Sequence, residues 1–206
     1  MRLIGRTMRP AQEMRRSRFE VGEAPADHVI FLGDSITEHG LWDEWFPELR
    51  LLNRGVGGET VEEVTARVPR TLPGARAVSV LVGTNDLTGF GRSRKVADIV
   101  EHYEELVAAI RHALPDAPVL LNSILPRDRL MAGRVRELNV RISEMAAAAG
   151  MHYVDAWSQL RGTHDQLRPE FTRDRIHLTG AGYQRWLKVL RPALAEALSA
   201  TNGPST

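Results

Sequence analysis

Short apolar, β-branched runs, three of them stopped at or near a glycine, that alternate with longer stretches of helical periodicity constrain this 206-residue chain more than any other feature. Val29-Ile30-Phe31-Leu32 ends at Gly33, and a weaker run from Leu49 to Asn53 ends near Gly55. Ala77 to Val82 stops at Gly83, and Val119-Leu120-Leu121 and His152 to Val154 complete the set. Between and after them, residues 60–70, 93–113, 134–149 and 179–198 read as helices. Val96, Ile99, Val100, Tyr103, Leu106, Val107 and Ile110 recur at helical spacing. Thr60 with Glu63 three residues on is a capping box, and Thr179 is placed to cap the last helix. Strands apolar on both faces and separated by helices predict a parallel sheet covered on both sides, a three-layer α/β/α sandwich. Five such strands fit the flavodoxin-like order 2-1-3-4-5. In these sheets ligands bind beyond the carboxyl ends of the strands, where strand order reverses. Function should therefore be sought in the turns.

After the first run the chain reads Gly33-Asp34-Ser35-Ile36-Thr37. A serine here would sit at a helix N-terminus, where free N–H groups favour developing negative charge. The same residues also serve as a plain helix cap. The turn lacks the lysine and most of the glycines of a phosphate-binding loop. After the second run, Asn53-Arg54-Gly55-Val56-Gly57-Gly58-Glu59-Thr60 lets backbone N–H groups approach a ligand, or is simply a flexible turn. Its glycines follow the wrong strand for a dinucleotide fingerprint. After the third, Gly83-Thr84-Asn85-Asp86 offers Asn85 as a donor to an oxyanion, or builds a turn by bonding its own backbone. Before the last helix stands Asp174-Arg175-Ile176-His177-Leu178-Thr179-Gly180. Asp174 can fold back onto the imidazole of His177 and leave its other nitrogen to take a proton from a serine; a surface ion pair or helix start is the alternative. Each turn is ambiguous alone. Together they supply a nucleophile, oxyanion donors and a base with its orienting acid, a set sufficient for acyl transfer.

With GDSIT around Ser35, NRGVGGE around Gly58, GTND around Asn85 and DRIH ending at His177, in that order, the sequence resembles the SGNH hydrolases, also called the GDSL esterase/lipase family. The resemblance runs from about Val29 to Trp186 and includes Asn122-Ser123-Ile124-Leu125-Pro126, which is similar to small bacterial esterases. Platelet-activating-factor acetylhydrolase-like and carbohydrate acetylesterase-like members are the most similar subgroups. The resemblance implies Ser35 as nucleophile, with its own N–H, the Gly58 N–H and the Asn85 side chain forming the oxyanion hole. It implies His177 as general base and then acid, oriented by Asp174, with no cofactor and no metal. The GxSxG elbow of the α/β-hydrolases is absent around Ser35. The expected activity is hydrolysis of carboxylic esters with short acyl groups, such as acetyl on a sugar or small lipid. A thioesterase or acyltransferase would use the same machinery. A catalytically silent carbohydrate- or protein-binding module is the reading of another class, and intact Ser35, Asn85, Asp174 and His177 speak against it.

The remaining residues narrow the reading further. The absence of cysteine excludes a thiol nucleophile, a disulfide scaffold and Cys-ligated zinc. His28, His39, His102, His112, His152 and His164 show no metal-ligand spacing. Trp42 and Phe46, with Trp45 between them, are candidate substrate-binding residues for an acyl or sugar pocket, although aromatics at helical spacing equally suit a core. Asp34 is expected to accept hydrogen bonds within its turn, and the polar stretch from Ala156 to Arg173 to form one wall of the site. A formal net charge of +1 gives no electrostatic case for nucleic acid. Of 27 cationic residues only Lys95 and Lys188 are lysine. Residues 1–20 hold six arginines against Glu13 and Glu20, and read as a basic arm, solvated or folded as a short helix on the domain. Residues 21–200 form the expected single domain, and residues 201–206 a disordered tail. No apolar run approaches the roughly 18 residues of a membrane span, and no signal-peptide core is present. The expectation is a cytoplasmic enzyme acting on a small-molecule ester, with a homodimer left open.

Overall fold

The structure, a computed structural model, describes residues 2–21, 26–88 and 94–201. Five parallel strands, β1 (Val29–Gly33), β2 (Leu51–Gly55), β3 (Ala77–Leu81), β4 (Val119–Asn122) and β5 (His152–Val154), form one sheet in the order β2-β1-β3-β4-β5. This is the order that the apolar runs predict. Register pairs Gly33 with Gly55 on one side and with Leu81 on the other. The turns that follow β1, β2 and β3 therefore leave the sheet at one level.

Side chains alternate across the sheet and feed two cores. Ile30, Leu32, Val78, Val80, Val119 and Leu121 pack beneath α4 (Val61–Thr71), α6 (Val96–Ala113) and α7 (Ala132–Ala148). Val29, Phe31, Ala77, Leu81 and Leu120 face α3 (Trp42–Trp45), α8 (Ala156–Leu160) and α9 (Gly180–Thr201). Short helices α2 (Ser35–Glu38) and α5 (Thr84–Thr88) sit directly after β1 and β3. The capping box at the start of α4 forms as expected: Thr60 Oγ1 accepts from Glu63 N, and Glu63 accepts from Thr60 N at 3.0 Å. Thr179 likewise accepts from Gly182 N at the start of α9.

Two expectations shift. Strand β2 lies two residues later than its apolar content suggests, because its polar Asn53 and Arg54 remain half-buried at the sheet edge. The stretch from Ala156 to Arg173 is not featureless: it holds α8 and 3-10 turns at Thr163–Asp165 and Pro169–Phe171. Of the two readings of the basic arm the helix on the domain holds: residues Arg2–Phe19 form the 18-residue helix α1, with Gln12 buried. The start of the expected helix over 93–113 and most of the tail expected over 201–206 lie outside the described residues. Among the described residues no helix is long and apolar enough to cross a membrane.

Candidate active site

Strand β1 ends at Gly33, where a Cβ would lie 2.0 Å from the Leu81 carbonyl oxygen and 2.4 Å from Thr37 Oγ1. Only glycine fits that approach, and it turns the chain directly into α2. Asp34 is the N-cap, with its Oδ1 accepting from Ile36 N at 2.9 Å. Ser35 is thereby the first helical residue. Its Oγ lies 2.8 Å from His177 Nε2, across 142 positions of sequence. Tyr183 of α9 donates to the Ile36 carbonyl at 2.6 Å and ties this turn to the helix that follows His177.

His177 is held from its other side. Asp174 Oδ2 lies 2.6 Å from His177 Nδ1, while Oδ1 accepts from the backbone N–H groups of Ile176 and His177 at 2.9 and 2.8 Å. The carboxylate folds back because Arg175 adopts a left-handed φ of 68° and donates its N–H to Thr172 Oγ1. Partial burial raises the Asp174 carboxyl, but the bonds from His177 and Ile176 outweigh it and hold the group well below the usual carboxylate range. Asp174 is thus a fixed anion, and the proton on Nδ1 leaves Nε2 as the acceptor facing Ser35.

The two remaining turns are built against each other. Gly58 has a φ of 80°, a conformation that favours glycine, and Gly57 lies close enough that its Cβ would meet Ser35 Cβ at 3.6 Å. Asn85 donates to the Glu59 carbonyl at 2.9 Å, and Asp86 accepts from Val61 N at 3.1 Å. The Asn85 and Asp86 side chains therefore bond the segment that follows β2, and Asp86 also accepts from its own backbone. Ser35, Gly58 and Asn85 are brought to one corner, as their places in the sequence suggest.

Two candidates move elsewhere. Trp42 and Phe46 are 0% and 1% exposed and belong to the core, so they line no open pocket. Trp42 stacks on Phe31 at 4.3 Å between ring centroids, meets Trp186 edge-on, and donates to the Thr37 carbonyl. Their apolar surface is spent holding α3 under the serine turn.

Sequence reasoning missed several supporting residues. Glu38 accepts from Gly57 N at 2.6 Å. Glu59, fully buried, pairs with Arg67 at 2.8 Å and with Arg16 of α1 at 2.7 Å. Arg67 also donates to the carbonyls of Gly33 and Arg54, and so joins β1 to β2. Arg127, 5% exposed, donates to Thr84 O and Oγ1 at 3.3 and 2.5 Å. Glu59 stands inside the NRGVGGE block, but nothing in the linear order of Arg16, Arg67 or Arg127 marks their partners. Among the described residues no group of three His, Cys, Asp or Glu side chains is arranged to hold a metal.

Residues 31–185 match the sequence profile of the GDSL-like lipase/acylhydrolase family. The chain is 28% identical over 187 residues to platelet-activating factor acetylhydrolase IB subunit alpha1 from Bos taurus, a match covering 85% of this chain and 78% of the relative. Its fold is similar to that of a GDSL-like lipase from Bacteroides thetaiotaomicron, with a TM-score of 0.77 at 21% identity over 90% of this chain and 98% of that one. It is also similar to that of an acetyl xylan esterase from Geobacillus stearothermophilus, with a TM-score of 0.67 at 20% identity over 84% and 96% of the two chains. At those identities the structural likeness speaks for the fold alone. The profile spans most of the chain and takes in Ser35, Gly58, Asn85, Asp174 and the histidine that meets Ser35, and on that match the chain belongs to the GDSL-like lipase/acylhydrolase family.

Proposed function

We propose that the protein hydrolyses carboxylic esters with short acyl groups through an acyl-serine intermediate on Ser35. The observation that carries this reading is the unbroken relay from Ser35 Oγ through His177 to Asp174, at 2.8 and 2.6 Å. His177 Nε2 takes the hydroxyl proton as Ser35 Oγ bonds to the ester carbonyl carbon. The resulting oxyanion is met by the N–H groups of Ser35 and Gly58 and by the Asn85 amide. Collapse breaks the carbon–oxygen bond to the alcohol, which leaves with the proton from His177. Water then gives a proton to Nε2, attacks the acyl carbon and releases the carboxylic acid, and the proton returns to Ser35. Asp174 stays ionised throughout and stabilises the imidazolium.

The preference for short acyl groups is supported by crowding beside the serine, where Gly57 approaches Ser35 and Glu38. It is supported too by the acetyl xylan esterase among the proteins of similar fold. A fluorophosphonate probe is expected to label the folded protein and to spare Ser35→Ala; an unlabelled folded wild type overturns the reading. A p-nitrophenyl ester series is expected to peak at acetate to butyrate. Rates that rise steadily to laurate, by about 0.8 kcal/mol for each methylene buried, would replace the short-acyl preference with a long-chain one.

A further inference from the structure

Beside the Asp174–His177 turn lies a cavity of about 550 Å³ that the ester-hydrolysing relay does not use. Thr172 and Arg175, which flank Asp174, form part of its wall. Four guanidinium groups line it, those of Arg127, Arg129, Arg173 and Arg175, against one carboxylate, Asp128. That carboxylate is already engaged: Asp128 Oδ1 accepts from Leu130 N at 2.9 Å and Met131 N at 3.2 Å. Arg173 donates only to the carbonyls of Pro169 and Thr172. Among the described residues, Arg129 and Arg175 make no ion pair with any carboxylate.

Arg127 is the most informative of the four. It is 5% exposed, yet its Nε is buried without a hydrogen-bond partner. Asp128, Asp34 and Asp174 lie near enough to favour its charge, yet none of them bonds Nε, and a buried donor left unused is costly until an acceptor completes it. Stapling Thr84 explains one nitrogen of Arg127 but neither its idle Nε nor the unpaired Arg129 and Arg175. Two of the lining residues are tied to segments that carry the site. Arg127 bonds Thr84, the residue before Asn85, and Arg175 stands two residues before His177.

We propose that this cavity binds an anionic group, a carboxylate or phosphate, carried on the alcohol part of the ester substrate. The inference rests on the esterase reading above: a short acyl group leaves recognition to the alcohol. Guanidinium forks match both anions with paired charge-assisted hydrogen bonds.

The test uses aryl acetates bearing, para to the ester, an alkyl tether of increasing length that ends in a carboxylate or a phosphate, each compared with its neutral carboxamide. At one or more tether lengths the charged ester is expected to show about tenfold higher kcat/KM, mainly through a lower KM. That advantage should shrink as salt is added and should fall in Arg129→Gln, an exposed position with no contact to Ser35, His177 or Asp174. Charged esters no better than carboxamides at every length overturn the inference and leave the esterase reading intact. So does an advantage that Arg129→Gln leaves whole, which would belong to the general field of the protein. If neither these esters nor p-nitrophenyl acetate is turned over by folded protein, the esterase reading itself falls and takes the inference with it.

Discussion

The Asn85 amide bonds the Glu59 carbonyl, and in the proposed mechanism it also donates to the oxyanion formed at Ser35. The two separate experimentally. Losing the bond to Glu59 costs about 1 kcal/mol of stability, whereas losing an oxyanion donor costs about 100- to 1,000-fold in kcat. Asn85→Ala is therefore expected to lower the melting temperature by a few degrees and kcat by two to three orders of magnitude; a kcat near wild type removes Asn85 from the hole. Asp34 makes a second residue-scale prediction. Complete burial pushes its carboxyl up to about 7, against the pull of the Ile36 N–H and with a further push from Asp86. The folded protein thus keeps a proton that the unfolded chain, with the ordinary value of 3.8, has lost. Stability from this group is full below about pH 4 and is lost as pH rises through about 7. Asp86, raised to about 6 mainly by burial, adds in the same direction. The urea midpoint is expected to fall between about pH 4 and pH 7, and Asp34→Asn, which keeps the acceptor for Ile36, should flatten part of that fall. An unchanged slope would place the carboxyl back in its usual range. The four motif blocks were legible because each lies within a few consecutive residues. Arg127 and Arg67 were not, because only the folded chain brings their partners to them. Trp42 and Phe46 were misplaced because helical spacing looks the same for a pocket wall and a core.

Helix α1 shows what an element can add that its composition does not reveal. Read as a run of arginines it suits a solvated arm as well as a short helix on the domain; folded, it directs three side chains at the segment that carries Gly58. Gln12 donates to the Gly57 carbonyl at 2.8 Å, Arg15 to the Gly55 carbonyl at 3.2 Å, and Arg16 pairs with buried Glu59. The backbone carbonyl of Glu59 is in turn the acceptor of the Asn85 bond. The helix therefore holds the segment on either side of Gly58, which the proposed mechanism uses as an oxyanion donor. A Gln12→Ala, Arg16→Ala double variant is expected to lose about tenfold in kcat, because small misplacements of such donors are expensive, with KM changed less. A full-rate double variant would reduce α1 to a stabilising role. Glu59→Ala is the harsher change, since it strands the Arg67 charge, and should cost about 3–5 kcal/mol in denaturant unfolding. Strand β2 illustrates the limit of apolar patterning. Its polar half is satisfied from outside the sheet, Asn53 by the carbonyls of Glu38 and Gly40 and Arg54 by the ring of Phe19 at 4.7 Å, so Leu49 and Leu51 drew the expected strand two residues early.

At the scale of the molecule, the sheet is a shared wall between two cores. Continuous apolar strands such as Val29–Leu32 made this legible in the sequence, because a strand buried on both faces has no polar alternation to hide. The site depends on both layers at once: Ser35 follows β1, His177 leads into α9 on one face, and Gly58 leads into α4 on the other. If the relay is to hold at 2.8 Å, the layers should not melt independently. Three of the four tryptophans, Trp42, Trp45 and Trp186, report on the α9 face. Leu106 lies on the opposite face, fully buried under α6. Leu106→Ala removes packing that the reporting tryptophans never touch, at a cost of about 2–5 kcal/mol. In a single cooperative unit, it should lower the midpoint seen by tryptophan fluorescence as far as that seen by far-ultraviolet circular dichroism. Fluorescence that stays at the wild-type midpoint while the dichroism shifts would mean that the two layers unfold separately, and the catalytic geometry would then have to be held by the α9 layer alone.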